Sequence, residues 1–596
     1  MMRYLIKYLK KYWKELIIGP SFKLAEAVLE LMLPLYMAKI IDVGVASGDR
    51  NYIIGMGGKM AAIALTGVCC ALVCQYTASK VSQGFGTDLR NAMFSHVAML
   101  SNTELDRFGT ASLVNRITSD VNQVQLGVAM LIRLVIRAPF LCIGGVVMAV
   151  SLDVELSVII MTVLPVFILI LAVTMIKTVP LYRQVQRKLD QLTLVIRENL
   201  SGVRVILAFA KKSDESRRFT AVNEEYSRTA IRVGSISSLL NPMTTLVMNL
   251  SIAAVIWFGG IRVNAGAIQT GAVIAFINYL TMILAALIVI SQLVVLYTRA
   301  FASLGRIAEV LDAKPSILDP ESPENLCLGE SEMETVSYAE TEKQGRVMEP
   351  VLEFRNVSMT YAGGSEYALK NISFSVRRGE TIGIIGGTGS GKSTLVNMIP
   401  RFYDADEGKV LICGKDVRDF KKKDLVDRIG VVPQKAVLFS GTIAENIRWG
   451  KEHATQPEIL QAAATAQAAE FIERLPGGYE TIVSRGGVNL SGGQRQRLAI
   501  ARALVKEPEI LILDDSFNAL DYATERALRD ALKEKTDRMT CFVVSQRTNT
   551  MKEADRIIVM NDGEAAGIGT HEELYRSCEI YREICDLQPQ EEGVDQ

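Results

Sequence analysis

The sequence predicts two fold classes in one chain. The first is a membrane all-α domain of six helices with long cytoplasmic helical extensions. The second is an α/β domain built around a phosphate-binding loop. Three observations carry this. Apolar runs long enough to cross a bilayer recur up to about residue 300 and then stop. Residues 386–394 read GGTGSGKST, between the strand-like run GETIGIIG and the helix-like run STLVNMI. And 596 residues are too many for one hydrophobic core.

The first fifteen residues, MMRYLIKYLKKYWKE, are basic and aromatic. They lack an apolar core followed by a small-residue cleavage site, so a secretory signal is not expected. Their Tyr, Trp and Lys pattern suits a helix lying on the membrane surface. Six spans follow, over 16–41, 54–80, 131–151, 156–177, 239–260 and 271–297. The connections after spans one, three and five are short. Those after two and four are long, helical and rich in Arg and Lys, including Arg90, Arg107, Arg116, Arg183, Arg187, Lys188, Arg197 and Arg204. The positive-inside rule therefore puts both long connections, both termini and the α/β domain in the cytoplasm, with the chain a multi-pass protein of the plasma membrane. Segments 109–124 and 197–210 in those connections are expected to pass movement from the soluble domain to the spans.

Span one carries Lys23, Glu26 and Glu30, spaced to share one helical face. Charge within a bilayer is costly and turns toward protein or water. A neutralising Lys23–Glu26 pair, Lys23 reaching the interface, or a substrate cavity each satisfies that spacing. Arg133 and Arg137 suit either the cytoplasmic interface or an inner cavity. Residues 313–350 are rich in Glu, Ser and Pro and read as an acidic flexible linker. The expected domains are thus 1–312, the linker 313–350, and 351–596.

Composition narrows the partners. Lys plus Arg and Asp plus Glu both count 65, which gives no charge-based case for nucleic acid. The nine Cys show no metal spacing and suggest small buried residues rather than a disulfide framework.

In the α/β half, Gly386, Gly387, Thr388, Gly389, Ser390, Gly391, Lys392, Ser393 and Thr394 fit the phosphate-loop pattern in every position. Backbone N–H groups from Gly387 to Thr394 are expected to cradle phosphate at the helix N-terminus. Lys392 would reach the β- and γ-phosphates of ATP, and Ser393 would ligate Mg²⁺.

Residues 490–497 read LSGGQRQR, and LAIARALVKEPEILILDD follows. This resembles the signature and Walker B strand of ATP-binding cassette (ABC) proteins. The whole chain resembles one half of a six-span exporter, a type IV half-transporter with one ABC nucleotide-binding domain. On the membrane side RITSDV, ENLSGVRVILAF and RAFASLGRIAEVLD carry the likeness more loosely. The resemblance implies that Tyr361 stacks on adenine, and that Gln434 and Asp514 meet Mg²⁺. It implies that Leu490, Ser491, Gly492, Gly493 and Gln494 serve ATP held by a partner subunit. Asn518, Ala519, Leu520 and Asp521 would form the loop that touches that partner.

Two positions depart from the family pattern at the chemical step. The carboxylate after Asp514 is Asp515, where the family has Glu. The residue after CFVVS is Gln546, where it has His; the chain's histidines are His96, His453 and His571. Gln can hydrogen-bond a phosphate oxygen but cannot carry a proton. Arg485 stands where Glu is frequent, and Asn518 where Ser is. The expectation is an ABC translocase subunit with a degenerate nucleotide site. It would pair with a second half-transporter carrying Glu and His, as a heterodimer, and would export amphipathic drugs, lipids or peptides. The alternatives are an importer of the same architecture, such as a siderophore system, and an ATP-gated channel or regulatory subunit.

Overall fold

The computed structural model describes residues 2–324, 350–361, 363–535 and 539–588. Most of the expected linker, 325–349, lies outside the described residues. The chain divides into two compact units: Met1–Ala98 with Ala111–Asp312, and Met99–Thr110 with Ala313–Gln596.

The first unit is helical. Five of its helical stretches are long and apolar enough to cross a membrane: Arg50–Met99, Thr110–Leu152, Val154–Ser201, Lys212–Asn264 and Thr270–Asp312. The first expected span forms one helix, Trp13–Lys39, but is not among those five. It is the span that carries Lys23, Glu26 and Glu30, and the spread of charge along it lowers its apolarity. Helices of 50, 48 and 43 residues far exceed the ~20 needed for a bilayer, so they continue as the expected extensions. A short helix, Met2–Leu9, precedes the spans and buries Tyr4 and Leu9.

The core of this unit joins Ala27, Leu31, Leu141, Ile160, Phe167, Val255, Phe276 and Ile283. Tyr279, fully buried, donates to the Leu31 carbonyl at 2.7 Å, so the hydroxyl is satisfied without water. The RITSDV motif has a structural use. Asp120, 2% exposed, accepts from Ser303 at 2.9 Å and from the Arg306 guanidinium. Arg116 donates to Glu309 at 2.8 Å. These bonds hold the motif to the helix Thr270–Asp312, the last before the chain leaves this unit.

The two expected transmission segments differ in placement. Within 109–124 the backbone is helical from Thr110, with a wide π turn at Arg116–Asp120. The piece grouped with the second unit lies earlier, at Met99–Thr110, and contains the helix Asn102–Phe108. Ser101 and Glu104 cap that helix reciprocally, and Ser101 also accepts from the Ile317 amide at 3.0 Å. In the other segment the short helix Val203–Ala208 buries no residue, and Val205, Leu207 and Phe209 are exposed.

The second unit is α/β. Its central sheet has six strands in the order Glu564–Gly569, Arg556–Asn561, Thr381–Gly386, Thr540–Val544, Ile510–Asp514 and Ile429–Val432. All neighbours are parallel except the antiparallel edge pair 556–561 and 564–569. ILILD is buried at every position, as a strand covered on both faces must be. A four-stranded antiparallel sheet of Leu352–Met359, Leu369–Val376, Glu407–Ile412 and Lys415–Asp416 packs through Phe354, Ile372 and Val376 onto Ile384, Leu395 and Phe542. Strands 381–386, 510–514 and 540–544 lie side by side and end together. The phosphate loop, the Asp514–Asp515 pair and Gln546 leave the sheet from that one edge.

Candidate functional site

The phosphate loop is shaped by backbone. Gly391 takes φ +97°, and a Cβ there would stand 2.7 Å from the Ala368 carbonyl oxygen, so only glycine fits. The loop leads into the helix Lys392–Met398. Gly387, Thr388 and Gly389 are exposed, whereas Ser390, Lys392 and Thr394 are buried. The Lys392 ammonium donates to the carbonyls of Gly386 and Gly387 at 3.0 and 2.6 Å. Burial pulls its pKa below the ordinary lysine value, while Asp515 and Asp514 oppose that shift.

Ser393 Oγ donates to Asp514 Oδ1 at 3.1 Å. Burial pushes the Asp514 carboxyl up; the Asp515 charge adds to this, and Ser393 and Lys392 work against it. A hydroxyl and a buried carboxylate within bonding distance, beside a triphosphate-sized loop, are hard oxygen donors of the kind Mg²⁺ takes. Gln434 lies at the same edge with its amide nitrogen turned to Asp515, which leaves the amide oxygen for a cation.

Asp515 is held through both its backbone and its side chain. Its φ of +52° is in the left-handed region, and its N–H donates to the Val544 carbonyl at 3.0 Å. Both carboxylate oxygens are engaged: Oδ1 accepts from Asn518 Nδ2 at 2.6 Å and Oδ2 from Gln434 Nε2 at 3.1 Å. The sequence marked Asn518 and Asp515 as separate departures. In the fold they form one hydrogen-bonded pair. Gln546 has an exposed side chain at the end of strand Thr540–Val544.

Tyr361, expected to stack on adenine, is also connected. The Tyr361 hydroxyl lies 2.9 Å from Thr394 Oγ1, and its ring meets that of Tyr403 edge to face at 5.2 Å. Tyr403 donates to Asp106 at 2.7 Å. Burial, then the Asp106 hydrogen bond and charge, hold the Tyr403 phenol above its usual range. A path of four side chains therefore runs from the phosphate loop to the helix Asn102–Phe108. Neither Tyr403 nor Asp106 stood out in the sequence, because they are 297 residues apart.

Ser491 caps the helix Gly492–Leu504, exchanging bonds with Gln494 in a capping box. Gln494 thus serves its own helix. Leu490 is a core residue at 7% exposure, while Ser491 and Gly492 are exposed. Gly493 packs on the loop 518–521: a Cβ there would stand 2.8 Å from the Ala519 carbonyl. In that loop Leu520 is buried and Asp521 caps the helix Tyr522–Lys533. Asn518, Ala519 and Asp521 are its exposed members.

In the membrane unit Lys23 contacts both oxygens of Glu26, at 2.8 and 2.7 Å. Arg137 donates to Glu30 at 2.7 Å. Glu26, Glu30 and Arg137 also border a cavity of about 250 Å³ with Leu29, Leu33, Ile63, Ala64 and Val68. The neutralising Lys23–Glu26 pair forms, and a cavity lies beside it; Arg137 is the partner that spacing alone did not reveal.

Comparison with known proteins agrees with this architecture. Residues 16–287 match the ABC transporter transmembrane region, and residues 369–518 match the ABC transporter domain. The chain is 38% identical over 594 residues to the "Uncharacterized ABC transporter ATP-binding protein YfiB" of Bacillus subtilis, covering 100% of both. It is 33% identical over 516 residues to an "ATP-dependent lipid A-core flippase" of Syntrophus aciditrophicus, covering 87% of this chain and 82% of that one. Its fold is similar to that of a bacterial Atm1-family ABC exporter with ATP bound. The TM-score is 0.76, at 24% identity, over 99% of each chain.

Proposed function

This chain belongs to the ABC transporter family, and we propose that it is the degenerate-site half of a heterodimeric ATP-driven exporter. The observation that carries the reading is Asp515. Its carboxylate is one methylene shorter than Glu, and Asn518 and Gln434 occupy both its oxygens. A carboxylate held this way is poorly placed to orient an attacking water. Gln546 lacks the protonatable ring that would meet the γ-phosphate. The phosphate loop, Ser393 and Asp514 keep the geometry for binding MgATP. When bound, Mg²⁺ would neutralise charge developing on the phosphates. Binding and turnover are separable quantities, so this site holds ATP and hydrolyses it slowly.

The exposed Ser491 and Gly492 at a 13-residue helix N-terminus then have a second use. They would face the γ-phosphate of ATP held on the partner's phosphate loop, where backbone N–H groups and the helix dipole favour an anion. The partner carries Glu and His at the positions matching Asp515 and Gln546. The cassette lies in the cytoplasm, the exposed apolar helix 203–208 docks on the partner, and the substrate is an amphipathic small molecule, lipid or peptide. The cavity beside Glu26, Glu30 and Arg137 contributes to its path. The flippase relative supports a lipid-like substrate class.

The test is purification from native membranes. The chain should arrive with a second half-transporter, and the pair should hydrolyse ATP at least about tenfold faster than this chain alone. Equal rates would refute the heterodimer. Uptake of a fluorescent amphiphile into inside-out vesicles reports the exporter direction; efflux from them would indicate an importer.

A further inference from the structure

The segment after Gln546 is a four-residue helix, Thr548–Met551, whose preceding residue Arg547 gives it no side-chain cap. Its first N–H groups therefore lack partners within the helix. The structure supplies one from 40 residues downstream. Gln588 Oε1 accepts from the Thr548 amide at 2.8 Å and from Thr548 Oγ1 at 3.0 Å. Its Nε2 donates to the Gln546 carbonyl at 2.6 Å. One side-chain amide thus grips the backbone on both sides of Arg547.

Gln588 is itself firmly placed. It follows the helix Glu579–Asp586, whose Tyr581 is fully buried with its hydroxyl 2.8 Å from His571 Nδ1. Arg582 donates to the carbonyls of Tyr575 and Arg576 at 2.9 and 2.7 Å, and Tyr575 donates to Asp586 at 3.0 Å. On the opposite side, the buried Glu525 accepts from Thr550 at 2.6 Å and from Arg547 at 3.1 Å. The segment 546–550 is therefore clamped between the Tyr522–Lys533 helix and the C-terminal helix.

We infer that Gln588 is a positioning residue for the γ-phosphate sensor: it sets where residue 546 presents its side chain, and so couples the C-terminal helix to recognition of ATP over ADP. The inference rests on residue 546 being that sensor, but not on whether the partner is a second copy or a different chain.

The experiment uses the full-length protein with Gln588→Ala, Gln588→Glu and Gln546→Ala, reading amide hydrogen exchange over 545–551 and affinities for MgATP and MgADP. Gln588→Ala should speed exchange at Thr548 about tenfold or more and weaken MgATP about tenfold, leaving MgADP within about twofold. Gln588→Glu keeps an acceptor for the Thr548 amide and hydroxyl, but replaces the donation to Gln546 with a carboxylate oxygen facing that carbonyl. It should retain the protected amide and an intermediate ATP preference. Unchanged exchange at Thr548, or equal loss of MgATP and MgADP affinity, overturns the assignment. If Gln546→Ala lowers the ATP preference while Gln588→Ala does not, the clamp proposal alone fails. If neither changes it, the sensor reading fails and the positioning role with it.

Discussion

Converting Asp515→Glu and Gln546→His together should turn this chain by itself into an active ATPase. The reasoning is geometric. The left-handed backbone at residue 515 and its N–H bond to Val544 fix where the side chain starts. The present carboxylate ends within 2.6 Å of Asn518 and 3.1 Å of Gln434. One more methylene carries the carboxylate roughly 1 Å beyond those amides, a displacement worth about a hundredfold in rate, or roughly 2.7 kcal/mol of barrier. His at 546 restores a group able to hold a proton at the γ-phosphate. Residues acting on one transition state are not additive, so a gain of at least about a hundredfold is expected rather than a product of two factors. Two copies of the restored chain would contain two complete sites, since each has an intact phosphate loop and an intact LSGGQ. The assay is phosphate release by the purified chain in nanodiscs, with Lys392→Ala in the restored background as the inactive control. A wild-type chain that already matches the double variant would refute the reasoning.

Other perturbations probe different parts of the account. Tyr403→Phe removes the 2.7 Å bond to Asp106, worth about 1.5–3 kcal/mol for a charged acceptor. It should leave ATP binding intact and cut transport in the assembled complex about tenfold or more, measured as substrate moved per ATP hydrolysed. Burial raises the Asp514 carboxyl, so acidification should protonate it before ordinary carboxylates. Mg²⁺-dependent ATP affinity should thus fall at a less acidic pH than an unperturbed Asp would give, and Asp514→Asn should remove that limb from a binding-versus-pH titration. The same sign means that, without nucleotide, burying this charge costs stability in full above the raised pKa, and the cost fades as pH falls toward the ordinary Asp value. Arg137→Met leaves Glu30 without its 2.7 Å partner within a span, at a cost of about 3 kcal/mol. Thermal unfolding in detergent should drop, and adding Glu30→Gln should restore most of it.

The sequence was most legible where local pattern carries the physics. Continuous burial of ILILD, the glycine-bounded phosphate loop and the long apolar helices each follow from residue type and spacing. The first span was harder, because its charges counter its apolarity and only the pairings Lys23–Glu26 and Arg137–Glu30 show how it neutralises them. Contacts set by tertiary packing left no local trace. Tyr403 with Asp106, Gln588 with Thr548, and Asp120 with Arg306 are joined only when distant elements meet. Asn518 is intermediate: unusual in its motif, it acquired a role only once its amide was found on Asp515.

The central claim is that this chain's own site keeps ATP while its signature completes the partner's. The most direct measurement is the nucleotide retained on each subunit of the native complex after one turnover, read with a photoreactive, α-labelled ATP. Triphosphate should be cross-linked to this chain and diphosphate to its partner. Diphosphate appearing on this chain as fast as on the partner would contradict it.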